Sequence, residues 1–534
     1  MSIVTIRSAD LDTFRETEPW SALLDVREVE EANAGHISGS SSMPLRLLPY
    51  RLRRVLPATH VPVIVYDDGG QDGRADAAAG VLEEEGFARV LVLEGGMAGW
   101  VADGGRPERG QNVPSKRFGE LLTQPDNELH MPAEKLAEWL ADGRDVQIID
   151  VRTGAEHSRE CLPGSVHAPG FSVAAAADPT RPIVVHCSGR TRSILGSRTL
   201  RLLGFVNVWA LENGTMGWVL EGLEVERGTV RPALESGLGG SPEIIARARE
   251  LAMSVGVELL GPAESRARLL SEDGRPRQLL DVRELTELAG TTAEHAVQVP
   301  SGQAVQRTDE HIVTRGAGVI LIDDGGARAL IAGHWLRLLG VEEVTVVDGG
   351  IDAWRAADLP VVAYDPDPDP VGLDRARAVA RTVTPEAAAE LMETGADVIS
   401  VDYSDAFTRG HLAGARWVGL SNLLAGHRDA VPGPDTPVLV TCSDGRASLL
   451  AARALAAHGV SDVHVLEGGT AGWLVSGREL LAGRANLPEW PTDVHPHPLT
   501  VGEHAMRDYL SWEEELDVSE DAARVARVTG PDPT

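Results

Sequence analysis

Leu93–Trp100 reads L-E-G-G-M-A-G-W, and the phrase returns three times along the chain. It stands as L-E-N-G-T-M-G-W at Leu211–Trp218, V-D-G-G-I-D-A-W at Val347–Trp354 and L-E-G-G-T-A-G-W at Leu466–Trp473. The closing tryptophans lie a whole domain apart, too far for a solenoid unit. Working back from each close, the same order recurs: a short strand, a helix, a polar loop, an apolar strand, a glycine-rich segment and an acidic-x-basic turn. The repeat predicts four domains, at 1–105, 128–225, 243–362 and 376–484, followed by a tail at 485–534. Each is long enough to bury a core of its own.

Copy two shows the alternation most clearly. Pro132–Leu140 reads as a helix opened by proline. Val146–Asp150 and Pro182–His186 are short apolar runs that read as buried strands. Ser193–Leu203 reads as a helix stopped by Gly204, and Val206–Ala210 as a further strand. Strands alternating with helices of this length predict an α/β fold, each copy a parallel sheet with helices on both faces. The polar loop then falls at the carboxyl end of a strand and the start of a helix, where open α/β sheets bind their ligands.

The joints differ in character. The first, 106–128, is polar, and the second, 226–242, is rich in Gly, Pro and Ser. The third, Tyr364–Pro370, reads Y-D-P-D-P-D-P and is expected to be extended and stiff. In the tail, His504–Leu516 reads as a helix carrying Tyr509 and Trp512, first as a strap packed on a domain and second as a partner-binding segment.

Composition narrows the partners. A formal charge of −31 argues against nucleic acid or an anionic membrane surface. No run of apolar residues is long enough to span a bilayer, and the first residues lack a signal-peptide core. Three cysteines in 534 residues are no disulfide framework, so a reducing, cytoplasmic setting is expected.

The chemistry is expected where the copies differ. Copy two has Cys187-Ser188-Gly189-Arg190-Thr191-Arg192-Ser193 in its polar loop. Copy four has Cys442-Ser443-Asp444-Gly445-Arg446-Ala447-Ser448. Copies one and three begin theirs with Asp67 and Asp323. Small residues let successive N–H groups turn inward, and the following helix adds its positive end. A cysteine there is expected to favour its thiolate and to act as a nucleophile. Cys161, in E-C-L-P-G-S, has no such cradle and reads as structural, with a resolving thiol as the lesser alternative.

The pattern D-V-R, then G-H-I-x-G, then strand-Cys-loop-helix, then L-E-G-G-x-x-G-W resembles the rhodanese superfamily. The D-V-R turn stands at Asp25-Val26-Arg27, Asp150-Val151-Arg152 and Asp281-Val282-Arg283, whereas copy four reads Asp402-Tyr403-Ser404. Copy three departs at Glu294-His295-Ala296-Val297. The resemblance implies four rhodanese-like domains and a sulfurtransferase without metal or organic cofactor. A donor such as thiosulfate would load Cys187 and Cys442 as persulfides, and a thiol, cyanide or protein acceptor would take the sulfur. The residues from Ser188 to Ser193 and from Ser443 to Ser448 would bind the substrate. The acid–base turns would be structural, and the Asp67 and Asp323 copies inactive scaffold.

Two other readings share these residues. One is a non-enzymatic persulfide relay or sensor that docks partner proteins. The other is a phosphatase or arsenate reductase of the same architecture, whose longer loop ends in arginine. Here the sixth residue after each cysteine is serine, Ser193 and Ser448. Loop charge yields a last expectation. Arg190 and Arg192 give copy two a formal +2, while Asp444 offsets Arg446 in copy four, so thiosulfate is expected to load Cys187 faster.

Overall fold

The computed structural model describes residues 4–70, 72–123, 129–233 and 239–529. Parts of the first two joints, 124–128 and 234–238, lie outside the described residues, as does 530–534 of the tail.

Each copy forms its own five-stranded sheet, and all four share one strand order. In copy two the strands are His130–Met131, Gln147–Asp150, Val166–His167, Ile183–His186 and Val208–Leu211. They are arranged first-fifth-fourth-second-third, every neighbour parallel. The middle strands are buried on both faces, which is why they read as unbroken apolar runs. Their alternate residues enter two cores. Val63 and Val65 pack on one side of the copy-one sheet, Ile64 and Tyr66 on the other. In copy four, Val438 and Val440 face one core and Leu439 the other. Copies two and three share a core, into which Ile183 and Val185 project from one sheet and Val319 and Leu321 from the other.

The elements read from copy two are present with shifted ends. Pro132 is the cap of a helix at Ala133–Ala141. The helix after the cysteine loop spans Thr191–Leu202, beginning two residues early, so Thr191 and Arg192 belong to its first turn. The last strand begins at Val208, because Val206 is 82% exposed and lies ahead of the pairing with Ile183. The departure of copy three at Glu294 is a turn between Thr291–Ala293 and Ala296–Gln298, with His295 at φ +66°. The first of these strands pairs antiparallel with Val361–Ala363.

The joint at 106–128 is more structured than its polarity suggests. It contains a helix at Val113–Leu121 whose Val113, Lys116, Phe118 and Glu120 are buried. A second helix, Pro242–Ser254, opens copy three ahead of its first strand, Glu258–Leu260, with the Ser241 hydroxyl accepting from the Ile244 N–H as its cap.

The chain divides into two compact units. One comprises Met1–Gln111, Val313–Arg315 and Pro366–His495, so it holds copies one and four. The other comprises Asn112–Ile312, Gly316–Asp365 and Pro496–Thr534, holding copies two and three and most of the tail. Each unit therefore pairs one cysteine copy with one aspartate copy. Among the described residues no helix is long and apolar enough to cross a membrane.

Candidate active site

The repeated closing phrase holds the polar loop in place. In copy four, the N–H of Thr470 donates to the carbonyl of Cys442 at 2.8 Å, and that of Ala471 to Ser443 at 3.1 Å. In copy two, Thr215 and Met216 donate likewise to Cys187 and Ser188, at 2.8 and 2.9 Å. The approach requires glycine. At Gly469 (φ +60°) a Cβ would stand 2.0 Å from the Cys442 carbonyl oxygen, and at Gly214 2.4 Å from that of Cys187. Met97 to Asp67 and Ile351 to Asp323 repeat the bond in the aspartate copies. In copies two, three and four the tryptophan locks the far end of the phrase, its indole N–H donating to the carbonyl six residues on.

Cys442 lies at the end of the strand Val438–Thr441, before the twelve-residue helix Arg446–Ala457. The N–H groups of Gly445 and Ser448 point at its sulfur, 3.2 and 3.4 Å away. Two oriented donors and a helix start suit a sulfur carrying negative charge. The resting thiol is nonetheless held protonated, contrary to the expected thiolate. Burial pushes it up to about 11, with Asp402 and Asp444 adding to the effect against the hydrogen bonds from Ser448. Asp402 is close because copy four lacks the arginine that engages the equivalent carboxylate elsewhere; it accepts from Ser443 instead. The partner domain reaches the same site. Tyr50, on the copy-one helix Leu48–Val55, is pushed above its usual range by burial and by the charges of Cys442 and Asp444. Nearby, Arg46 stacks on Tyr403 at 3.3 Å and pairs with Asp493. Ser443 and Asp444 are exposed, Arg446 and Ala447 partly so, and Gly445 and Ser448 are buried.

Cys187 occupies the same place in copy two, its sulfur 3.5 Å from the Ser193 hydroxyl. Here Ser188, Gly189, Arg190, Thr191 and Ser193 are all buried. The formal +2 of this loop is not free charge. Arg192 makes two parallel bonds to Glu156 at 2.8 and 2.7 Å. Burial works to raise the Glu156 carboxyl, but Arg192 outweighs it and holds it well below the usual range. Arg190 is forked onto Glu120 at 2.7 and 2.8 Å and reaches Glu514 at 2.8 Å. Thr191 donates to Glu513 at 2.6 Å. Glu513 and Glu514 lie on the tail helix Glu503–Glu514, so the strap read from the sequence is seated on this loop. Lys116, buried beneath Tyr509 and Trp512, is pulled down to about 8, chiefly by burial.

In copies one and three the carboxylate fills the cradle. Asp323 accepts from the N–H groups of Gly325, Gly326 and Ala329, and Asp67 from Gly69 and Ala75. Burial pushes Asp323 up to about 6, with Asp324 adding to it.

The D-V-R turns are clamps. Arg27, Arg152 and Arg283 each bond the aspartate two residues earlier and a carbonyl eight residues later, that of Gly35, Glu160 or Thr291. His157 and His186 join Asp150 in a fully buried group, where burial draws His186 down to about 4. Cys161 is buried in an antiparallel bridge to Glu226. Among the described residues no cluster of three or more His, Cys, Asp or Glu side chains is placed to hold a metal ion.

The sequence reading missed what other elements contribute: the electrostatic coupling of Tyr50 to Cys442, and Lys116, Glu120, Glu513 and Glu514 at the Cys187 loop. A signal existed for Lys116 and Glu120 in Pro114 at a helix start, followed by Phe118 and Leu121.

Comparisons with known proteins bear on the family and the fold. The rhodanese-like domain family model matches residues 9–103, 132–221, 264–357 and 384–476. The thiosulfate sulfurtransferase GlpE of Pseudomonas fluorescens is 37% identical over 93 residues, 17% of this chain and 84% of that one. A sulfurtransferase of Allochromatium vinosum is 28% identical over 96 residues, 17% of this chain and 90% of that one. The crystal structure of a thiosulfate sulfurtransferase from Pseudomonas aeruginosa superposes with a TM-score of 0.87 at 31% identity, covering 99% of both chains.

Proposed function

Because this chain belongs to the rhodanese-like family, we propose that it moves sulfane sulfur through cysteine persulfides on Cys187 and Cys442. It is a sulfurtransferase built of tandem rhodanese-like domains. The observation that supports the persulfide route is the setting of Cys442. Its sulfur ends a buried strand, receives two backbone N–H groups and faces a helix start.

In the first half-reaction the thiolate attacks the outer sulfur of a donor such as thiosulfate. A Cys–S–S bond forms, the donor's S–S bond breaks, and sulfite leaves with the electron pair. In the second, a thiolate or cyanide attacks the outer sulfur of the persulfide. The Cys–S–S bond breaks, the cysteine thiolate is restored, and the product is a hydropersulfide or thiocyanate. The N–H groups at Cys442 stabilise negative charge on sulfur in both halves. A protein thiol could serve as acceptor, and three free cysteines suit a reducing cytoplasm.

The phosphatase reading has less support. The place where such a loop needs arginine holds Ser193 and Ser448, each with no exposed surface. Intact-protein mass spectrometry after exposure to thiosulfate tests the proposal. Each active cysteine should gain about 32 Da, the mass of one sulfur. Cys187→Ser and Cys442→Ser should each remove one addition. Loading that persists in the double variant would refute the mechanism.

A further inference from the structure

The two cysteine loops differ in what lies on them. Ser443 and Asp444 of the Cys442 loop are exposed, whereas the Cys187 loop is covered from Ser188 to Thr191. The cover is the helix Glu503–Glu514, anchored by Met506 and Leu510 against Met216 of the closing phrase. Its last turn brings carboxylates to the loop. Glu513, 1% exposed, accepts from the Thr191 hydroxyl at 2.6 Å, and Glu514 accepts from Arg190 at 2.8 Å. The fit is close: a Cβ at Gly189 would stand 3.3 Å from both Glu513 Oε2 and the Tyr509 ring. The hydroxyl that a free anion would use is therefore held by the tail, and the guanidinium by the tail and Glu120 together.

We propose that Glu513 and Glu514 are specificity-determining residues for Cys187, filling the loop's anion seat and discriminating against small dianionic donors there. The inference rests on reading Cys187 as a persulfide carrier. Thiosulfate has to displace Glu513 to reach Thr191, and Glu514 beside the forked Glu120 to reach Arg190, and it meets the like charge of the tail carboxylates as it approaches. A donor or electrophile without net charge meets no such repulsion. The Cys442 loop also receives carboxylates from outside itself, Asp367 on Arg446 and Asp402 on Ser443, but they leave Ser443 and Asp444 exposed, so the site stays more open.

The test uses the full chain with Cys161→Ser and Cys442→Ser, leaving Cys187 as the reactive thiol. Glu513→Gln, Glu514→Gln and the double variant keep the shape of the cover and remove its charge. Thiosulfate loading, read as the gain of about 32 Da, should rise about tenfold or more in the double variant. Alkylation by iodoacetamide, a neutral electrophile, should change less than about twofold. Unchanged thiosulfate loading overturns the proposal. So does an equal rise in both rates, which would mean a steric cover without charge selection. Should the double variant fail to fold, Glu514→Gln decides, since its side chain is about half exposed. Absence of loading in parent and variants alike would refute the persulfide reading instead. Calorimetry of thiosulfate binding to the Cys187→Ser protein then still decides the anion seat. Tighter binding in the Gln variants supports it, and equal binding overturns it.

Discussion

Asp402 accepts two hydrogen bonds from Ser443, one from its N–H and one from its hydroxyl, both 2.7 Å long. In copy two the equivalent Asp150 is engaged by Arg152 and His157. Copy four has serine in place of that arginine, so its aspartate turns to the cysteine loop and places a negative charge beside Cys442.

Asp402→Asn should therefore lower the Cys442 pKa from about 11 toward the ordinary thiol value. The amide oxygen still accepts from Ser443, so the loop keeps its shape while the charge is lost. Alkylation of Cys442 at pH 8, in a Cys161→Ser Cys187→Ser background, should accelerate about threefold to tenfold. An unchanged pH–rate curve would mean that burial alone holds the thiol protonated.

Gly469→Ala should disable Cys442 and spare Cys187. The added Cβ would meet the Cys442 carbonyl oxygen at 2.0 Å and the Gly445 nitrogen at 2.8 Å, both backbone atoms. Loading of Cys442 should fall at least tenfold, with a stability loss of about 1–3 kcal/mol. Gly214→Ala should give the mirrored result at Cys187. Single-site mass spectrometry reads both.

Asp323→Ala should leave sulfur transfer unchanged in the folded protein and cost about 1–3 kcal/mol, since three N–H groups lose their acceptor. The folded carboxyl titrates near 6, above its ordinary 3.8. Between those values the folded state binds more protons than the unfolded one, so the Asp323 contribution to stability falls as pH rises through that window. The difference between wild type and variant in denaturant melts should follow this sign.

Arg283→Met should separate the clamp from the chemistry. It leaves Asp281 buried without its cation, at a cost of about 3–5 kcal/mol. The residue lies in an aspartate copy, so turnover per folded molecule should hold at the wild-type value. A fall in turnover without a fall in thermal stability would assign the turn a role in transfer.

The repeat, the parallel sheets and both cysteine loops were legible because each depends on neighbours close in sequence. An apolar run of four or five residues declares a buried strand, and a cysteine opening a small-residue loop declares a cradle. Loop charge was not legible. The carboxylates that engage Arg192 and Arg190 lie 36, 70 and 324 residues away. The thiol state of Cys442 was hidden for a related reason. Local pattern predicts a favourable helix end, whereas burial and the released Asp402 decide the balance.

The division of the chain into units has a consequence for biogenesis. Copies two and three are consecutive and share a core, so they can consolidate as soon as both have left the ribosome. Copy one is made first, yet its partner begins only at Pro366, and closing so long a loop carries an entropic penalty that slows docking. The helix over Cys187 is made later still. During synthesis the Cys187 loop is thus exposed before its carboxylate cover exists, and the nascent chain passes through an interval of open reactivity that the finished protein lacks.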